Sequence, residues 1–407
     1  MSDTKSAIKT ILNRNVLLIF AIQFFQNISA VMGGVYVGPL GKATGLSVAL
    51  IGVAGTLYTL CGLFTRAPAA RLTDGDKKKL ALIIGIGGRG VVYLLMGVFQ
   101  NNPTMYMILR CLQGITWALI GVCLISCMAV IVDKKVMGTA YAIFNAMLSI
   151  GKIIAKPFAQ KMYMNHGFMT ISVITFATAM LATLLIFFMD FDAPGLKYVP
   201  SEEKASKPKK SLNPFKGILV AAIPIAIIGG LARFGYQTDS LYTSVMAVER
   251  NLDPSAAFAL GSTVATVVGL VVGVLCDFLG AKWLTIIMLL ANGIGLIMIG
   301  NAHTASALLV AYVVYAGIGG KYDAPVKVLI MKTAPKEKQG AAAATQLLFN
   351  DLFSAVAGTV VGFIAGNAGY TVGFGVVGVI SVVCALSLVF FSKQILGPLA
   401  KLKTEAA

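Results

Sequence analysis

Charged residues, and acidic ones above all, are scarce in this chain. Only 12% of its 407 residues are charged, and 16 Asp and Glu stand against 33 Lys and Arg. An ordinary soluble domain carries about 25% charged residues. The composition therefore excludes a soluble enzyme and a disordered chain. It also excludes a disulfide-stapled secreted module, and the six Cys lie inside apolar runs with no metal-type spacing.

Motifs for cofactors and catalysis are missing as well. The sequence has no G-x-x-x-x-G-K-[ST] loop for nucleotide phosphates, and its two His fall outside the apolar runs. The glycines at 85, 87, 88 and 90 fit G-x-G-x-x-G, but no strand precedes them and no acidic residue follows at the required distance. Close helix packing explains these glycines better. We expect no catalytic residue, no metal and no cofactor.

Apolar residues are abundant: 57% of the chain is hydrophobic, with a mean hydropathy of +0.85. Runs of twenty or more recur, each long enough to cross a hydrocarbon core of about 30 Å as a helix. The sequence predicts an all-α polytopic membrane protein with twelve transmembrane helices in two six-helix halves. The predicted spans are 15–41, 46–70, 80–100, 104–131, 138–163, 167–190, 217–247, 255–277, 281–301, 304–333, 340–366 and 369–392.

One long polar stretch divides the spans six and six. Residues 191–216 contain four Pro together with Glu and Lys, which is typical of a linker. We therefore predict an N-terminal six-helix half at 1–190, a cytoplasmic linker at 191–216, a C-terminal half at 217–393 and a cytoplasmic tail at 394–407. Twelve helices can enclose a path within one chain, so a monomer is expected.

Lys and Arg in the loops and at the ends of the spans are distributed very unevenly. The side that holds both termini carries 22 of these cations, whereas the opposite side has three, Lys42, Lys161 and Arg250. By the positive-inside rule, both termini are cytoplasmic in a multi-pass protein of the cytoplasmic (inner) membrane. The net charge of +17 is thus mostly a topology signal. The lipid bilayer is an expected partner and nucleic acid is not.

A ten-residue pattern occurs in two equivalent loops. Residues 273–282 read G-x-L-x-D-x-x-G-x-K, and residues 70–79 repeat the pattern with the first glycine replaced and the spacing shortened. With the twelve spans and the basic linker, this pattern resembles the major facilitator superfamily of secondary transporters over essentially the whole chain. The resemblance implies alternating access, with helices one, four, seven and ten around a central cavity.

The resemblance also implies roles for the loop residues. In the superfamily the loop Asp caps a neighbouring helix end and joins a charge relay that favours one state of the cycle. By position, Asp74 and Asp277 would have this gating role. Gly273, Gly280 and Lys282 complete the second copy, with Lys282 as a partner of Asp277.

Away from their ends, the predicted spans contain eight cations but only three acids. On insertion scales a charge at the bilayer centre costs roughly 2.5 to 3.5 kcal/mol, so an excess of five cations indicates an anionic substrate. Some of the cations have structural alternatives, such as an i,i+4 pair between Asp323 and Lys327. The cations are Arg66, Arg89, Arg110, Lys152, Lys156, Arg233, Lys321 and Lys327, and the acids are Asp239, Asp323 and Asp351.

The candidate substrate residues lie on several spans. Arg233 is the strongest candidate because its planar fork matches carboxylate, sulfonate or phosphate oxygens. Lys152 lies near the middle of the fifth span on a polar stripe formed with Tyr141, Asn145, Ser149 and Lys156; its alternative is a pair with an acid such as Asp351. The predicted substrate-binding residues are Arg233, Lys152, Lys321, Lys156, Gln23, Asn27, Gln113, Gln237 and Asn350.

Coupling is expected to involve protons or a counter-anion. Asp351 or Asp323 is the predicted protonation site, and Asp239 is the third acid within the spans. Arg110 begins a stretch that resembles the R-x-x-Q-G element associated with proton coupling in exporters, so it serves coupling, an outer gate or helix anchoring. We expect transport of a small organic anion by proton symport or anion exchange. The alternative is proton-coupled efflux of drugs or metabolites.

Overall fold

The computed structural model describes residues 12–74, 77–133, 136–193, 196, 218–335 and 338–405. No β-strand occurs in these residues, and ten of their helices are long and apolar enough to cross a membrane. In chain order they are α1 (Arg14–Ala43), α2 (Val48–Asp74), α3 (Lys78–Val98), α4 (Pro103–Ile131), α5 and α6 (together Met137–Phe187), α7 (Val220–Glu249), α8 (Ser255–Phe278), α9 (Ala281–Gly300), α10 (Ala305–Thr333), and α11 and α12 (together Gln339–Phe390).

Two of the ten helices have about double the length of the others. Met137–Phe187 has 51 residues and Gln339–Phe390 has 52, and each contains a glycine with non-helical dihedral angles. Gly167 has φ +81° and Gly369 has φ +85°, a region that residues with side chains rarely adopt. The chain therefore turns there, and α5 is 137–166, α6 168–187, α11 339–368 and α12 370–390. Counted in this way, the ten apolar helices of the described residues comprise twelve helical segments.

The segment predicted as a tail, 394–407, is largely helical. Ser392–Glu405 forms a further helix, α13. Its Ile395 and Leu399 are buried in the same hydrophobic cluster as Ile225 of α7, because the spacing of four residues places both side chains on one face. Most of the predicted linker at 191–216 lies outside the described residues.

The chain divides into two compact units. The first comprises 1–33 and 61–214, and the second comprises 34–60 and 215–407. Each has its own hydrophobic core, centred in the first unit on residues such as Cys123 and Ile186 and in the second on Leu289 and Val326. The segment 34–60, which contains the end of α1 and the start of α2, belongs to the second unit.

Small residues hold the segment 34–60 within the second unit. A Cβ at Gly52 would clash with both the Gly358 carbonyl oxygen of α11 and the Tyr242 hydroxyl. That hydroxyl donates to the Gly358 carbonyl at 2.8 Å. Further along, Lys42 and Glu249 form an exposed ion pair at 2.9 Å.

Glycine also sets the distance between α3 and α6 in the first unit. A Cβ at Gly90 would lie 2.7 Å from Ala179 Cβ and 2.9 Å from Met180 Cε, which is too close for an unchanged helix pair. We expect Gly90→Ala to lower the free energy of unfolding by about 1 to 3 kcal/mol through overpacking. The measurement is the thermal unfolding midpoint of the purified protein in detergent.

A neighbouring glycine provides the control for this prediction. A Cβ at Gly88 would lie 3.5 Å from Thr116 Cγ2, an ordinary contact. Gly88→Ala should therefore leave the midpoint unchanged or raise it, since Ala favours a helix by up to about 1 kcal/mol over Gly. Equal midpoints for both variants would show that Gly90 does not set the helix spacing.

Candidate functional site

The carboxylate of Asp323 is the centre of a polar cluster in the second unit. Its Oδ2 pairs with Lys327 Nζ at 2.6 Å, which confirms the predicted i,i+4 pair. Its Oδ1 accepts two hydrogen bonds, from Gln346 Nε2 and Asn350 Nδ2, each at 3.1 Å. The carboxylate thus joins α10 to α11.

Local backbone features place these side chains. α10 contains a π-helical segment, Val313–Ile318, and a 3₁₀ turn, Gly319–Lys321, before a regular helix begins at Asp323. A carboxylate in the first turn of a helix is favoured by the helix dipole. On α11, Gln346 and Asn350 are four residues apart and share one face, so both amides reach the same oxygen.

Arg233 lies on α7 beside this cluster. Its guanidinium carbon is 4.1 Å from the centroid of the Tyr236 ring, a cation–π arrangement that fixes the plane of the group. Tyr322, Asp323 and Asp351 are its electrostatic neighbours. Tyr322 is buried, and its hydroxyl donates to the Gly229 carbonyl at 3.4 Å, one turn before Arg233.

Three other predicted residues of the second unit contact other parts of that unit. Asp239 begins a π-helical turn in α7 and accepts a hydrogen bond from the Tyr312 hydroxyl at 3.0 Å. Gln237 is buried and its amide nitrogen faces Gly55. Lys321 extends along α8, where a Cβ at Gly269 would lie 3.3 Å from its Nζ.

The first unit contains a separate buried polar network on α1, α3 and α4. Gln26 donates to Gln23 at 2.7 Å, and Arg89 Nη1 donates to Gln26 at 3.4 Å. Arg110 Nη1 donates to Gln113 Oε1, and Gln113 Nε2 donates to the Tyr93 hydroxyl at 2.9 Å. Both guanidinium groups act electrostatically on Tyr93, so two buried arginines are neighbours of one phenol.

Asn27 connects α1 to the polar stripe of α5. Its Nδ2 donates to the Leu148 carbonyl at 2.7 Å, and Gly151 allows the close approach. Lys152 follows directly and is exposed, while Lys156, one turn further, is half-buried. Asn27 is therefore bound to the backbone of α5 and positions the segment that carries Lys152.

The intramembrane charges are divided unequally between the units. Away from the ends of the spans predicted from hydropathy, the second unit has three cations and three acids. The first unit has five cations and no acid by the same count, and the sequence from Lys77 to Met189 contains a single acidic residue, Asp133, which lies after the end of α4. The whole excess of five positive charges therefore belongs to the first unit.

The repeated loop differs from its expected arrangement. Asp277 lies in the last turn of α8, because that helix continues to Phe278, and it pairs with Lys332 at 3.2 Å. The expected partner Lys282 instead donates to the Ser392 hydroxyl at 3.0 Å. α9 begins after Gly280, whose φ of +78° requires glycine, and no side chain caps this end.

Two further loop residues add little to this arrangement. Gly273 is exposed within α8, with open space where a Cβ would stand. Asp74 is the last residue of α2, and its side chain lies outside the described part of the chain.

Tyr93 was absent from the predicted site, and the polar residues Gln26, Tyr322 and Gln346 of the same spans were not among its predicted binding or coupling residues. Helical spacing offered a signal for two of them, since Tyr93 is four residues after Arg89 and Gln346 is four residues before Asn350. The bonds of Gln26 to Arg89 and of Tyr93 to Gln113 join different helices, and hydropathy does not reveal such contacts.

Comparisons with known proteins agree with this architecture. A family model described as Major Facilitator Superfamily matches residues 17–277 and 240–406. Similar sequences include the uncharacterized MFS-type transporter YhhS of Escherichia coli (strain K12) and that of Shigella flexneri. Each is 25% identical over 347 residues and covers 82% of this chain and 82% of its own length.

Solved structures share the fold at low sequence identity. The nucleoside transporter NupG matches with a TM-score of 0.71 and 14% identity, over 94% of this chain and 100% of its own. A POT family transporter in complex with 5-aminolevulinic acid matches with a TM-score of 0.73 and 15% identity, over 94% and 96%. At these identities the likeness shows a common fold.

Apolar spanning helices around buried polar clusters define a multi-pass membrane protein of the transporter class. The chain belongs to the Major Facilitator Superfamily. It is therefore a transport protein and not an enzyme.

Proposed function

We propose that this protein transports a small organic anion across the cytoplasmic membrane by alternating access, with both termini in the cytoplasm. The observation that carries the proposal is the charge of the first unit, which has five cations and no acid within the spans predicted from hydropathy. An excess of positive over negative charge in a bilayer is expensive, so an anionic ligand is a natural partner for this unit. The 22 cations on the side of the termini support the orientation.

Arg233, Lys152, Lys156 and Lys321 are the proposed cationic ligands of the substrate. Arg233 is the main one, because stacking on Tyr236 occupies the face of its guanidinium while in-plane N–H groups suit carboxylate oxygens. Among the polar candidates, Asn27 and Gln113 are bound to protein groups and act by positioning. Gln23 and Gln237 are buried polar neighbours in their respective units.

We propose proton symport, with Asp351 as the carboxyl that exchanges a proton. Asp323 is less suited, because Lys327, Gln346 and Asn350 occupy both of its oxygens and protonation would break these contacts. Asp351 is buried and is an electrostatic neighbour of Arg233. A carboxyl beside a cation responds to whether that cation holds an anion.

Proton-coupled efflux of drugs or metabolites is the second candidate function. The bond from Arg110 to Gln113 within the R-x-x-Q-G element favours it. The five cations in the first unit argue against efflux of hydrophobic cations, because a positively charged site would repel such substrates.

Counterflow in proteoliposomes tests the proposal. We expect preloaded small carboxylates, sulfonates or phosphates to drive uptake of the same labelled anion, whereas their neutral amides and lipophilic cations do not. The size-matched amide is the control, since it keeps the shape and loses the charge. Counterflow of lipophilic cations without counterflow of any anion would show that efflux of cations is the function.

A further inference from the structure

Two buried amide oxygens in the second unit lack a hydrogen-bond donor. Gln346 Oε1 and Asn350 Oδ1 have no partner among the described residues, although the side chains are only 1% and 4% exposed. Buried acceptors are nearly always paired, since an unpaired one loses its hydration without compensation. A group that carries donors is therefore expected at this position.

The orientation of both amides follows from Asp323. An ionised carboxylate only accepts hydrogen bonds, so both amide nitrogens must face its Oδ1, where they lie at 3.1 Å. Reversing either amide would place oxygen against oxygen. Lys327 occupies the other carboxylate oxygen. The two amide oxygens are therefore available to accept hydrogen bonds from a group other than Asp323.

Gly229 leaves space beside these oxygens. A Cβ at this position of α7 would lie 3.4 Å from Asn350 Oδ1 and 3.6 Å from Gln346 Nε2, which are ordinary contact distances. A side chain is therefore compatible with the helix packing but would cover the Asn350 oxygen. Arg233 follows four residues later, on the same face of α7.

We propose that the transported anion also carries a hydrogen-bond donor, a hydroxyl or an ammonium group, which the oxygens of Asn350 and Gln346 accept while Arg233 binds its anionic group. This inference rests on the proposed transport of an organic anion and narrows the substrate class to hydroxy acids or amino acids. A carboxylate with a plain alkyl chain would leave the two oxygens unpaired.

Isosteric anions test this inference without any variant. The probes are glycolate, glycine and propionate, together with the longer homologues of each, added to the purified full-length protein in a thermal-shift titration. We expect one donor-bearing series to bind at least about 10-fold more tightly than the propionate series. The glycolate and glycine arms distinguish a hydroxyl from an ammonium donor. Equal affinity of all three series overturns the inference.

Gly229→Ala tests whether the preference for donor-bearing anions arises beside the Asn350 oxygen. The methyl group should reduce the preference for the donor to within about 2-fold, while affinity for the propionate series and the unfolding midpoint stay at the wild-type level. Gly366→Ala on α11 is the matched control, because its Cβ would lie 3.6 Å from Val48 Cβ, and it should keep the preference. A preference retained in Gly229→Ala overturns the inference. If no anion binds to the wild type, the proposed function itself is wrong.

Discussion

Replacing Arg233 with alanine should abolish counterflow of the cognate anion. The guanidinium supplies in-plane donors and a full charge, and truncating one partner of such a pair costs about 2 to 5 kcal/mol. The expected loss of affinity is roughly 30-fold to several thousand-fold. The measurements are initial counterflow rates in proteoliposomes and anion binding by thermal shift.

A second variant separates binding from folding. Arg233→Ala also removes a positive neighbour of Asp323 and Asp351, which by itself lowers stability. Arg233→Lys keeps the charge but loses the planar fork, so we expect a wild-type unfolding midpoint with affinity reduced about 10-fold or more. Unchanged counterflow in both variants would show that Arg233 does not bind the substrate.

Arg250 provides the matched arginine control. It lies after the end of α7, and its guanidinium donates to the carbonyls of Ala302 at 2.7 Å and Gly300 at 2.9 Å. These bonds satisfy the carboxyl end of α9. Arg250→Ala should therefore lower the unfolding midpoint and leave anion affinity unchanged, the opposite of the result for Arg233→Lys.

The same comparison applies to Lys152 in the first unit. Lys152→Ala should strongly reduce counterflow, because it removes a cation from the unit that has no acid within its predicted spans. Lys161→Ala is the control on the same helix, where the side chain is exposed. Equal effects of the two variants would indicate a general loss of positive charge instead of a specific contact.

Features that depend on local spacing were predictable from the sequence. Hydropathy revealed the spans, and the four-residue separation of Asp323 and Lys327 gave their ion pair. The turn at Gly167 agrees with the predicted boundary between the fifth and sixth spans. In each case the interacting groups lie within one helix or at its ends.

Features that depend on packing between distant segments were not predictable. Asp277 pairs with Lys332, 55 residues away, although Lys282 is much closer in sequence. The boundary between the compact units passes through α1 and α2, because residues 34–60 pack against α7 and α11 at glycines. The composition of the predicted linker gives no sign of these contacts.

Replacing Asp351 with asparagine should uncouple transport from protons. Asn has the same shape but does not ionise, so substrate exchange by counterflow should persist while proton-driven accumulation is lost. Electroneutral symport of one proton drives about tenfold accumulation for each pH unit, since one unit corresponds to about 1.36 kcal/mol. In Asp351→Asn we expect the accumulation ratio under an imposed pH gradient to fall to about one.

Asp323→Asn should behave differently, because this carboxylate organises the cluster. The substitution removes the charge that pairs with Lys327 and places an amide opposite the nitrogens of Gln346 and Asn350, so both counterflow and accumulation should be lost. Asp253→Asn is the control, since Asp253 accepts from the Ser255 backbone N–H at 2.9 Å outside the spans. If Asp323→Asn loses accumulation alone and Asp351→Asn is unaffected, the two acids have exchanged roles. If Asp351→Asn and Asp323→Asn both accumulate substrate normally, anion exchange replaces proton symport as the mechanism.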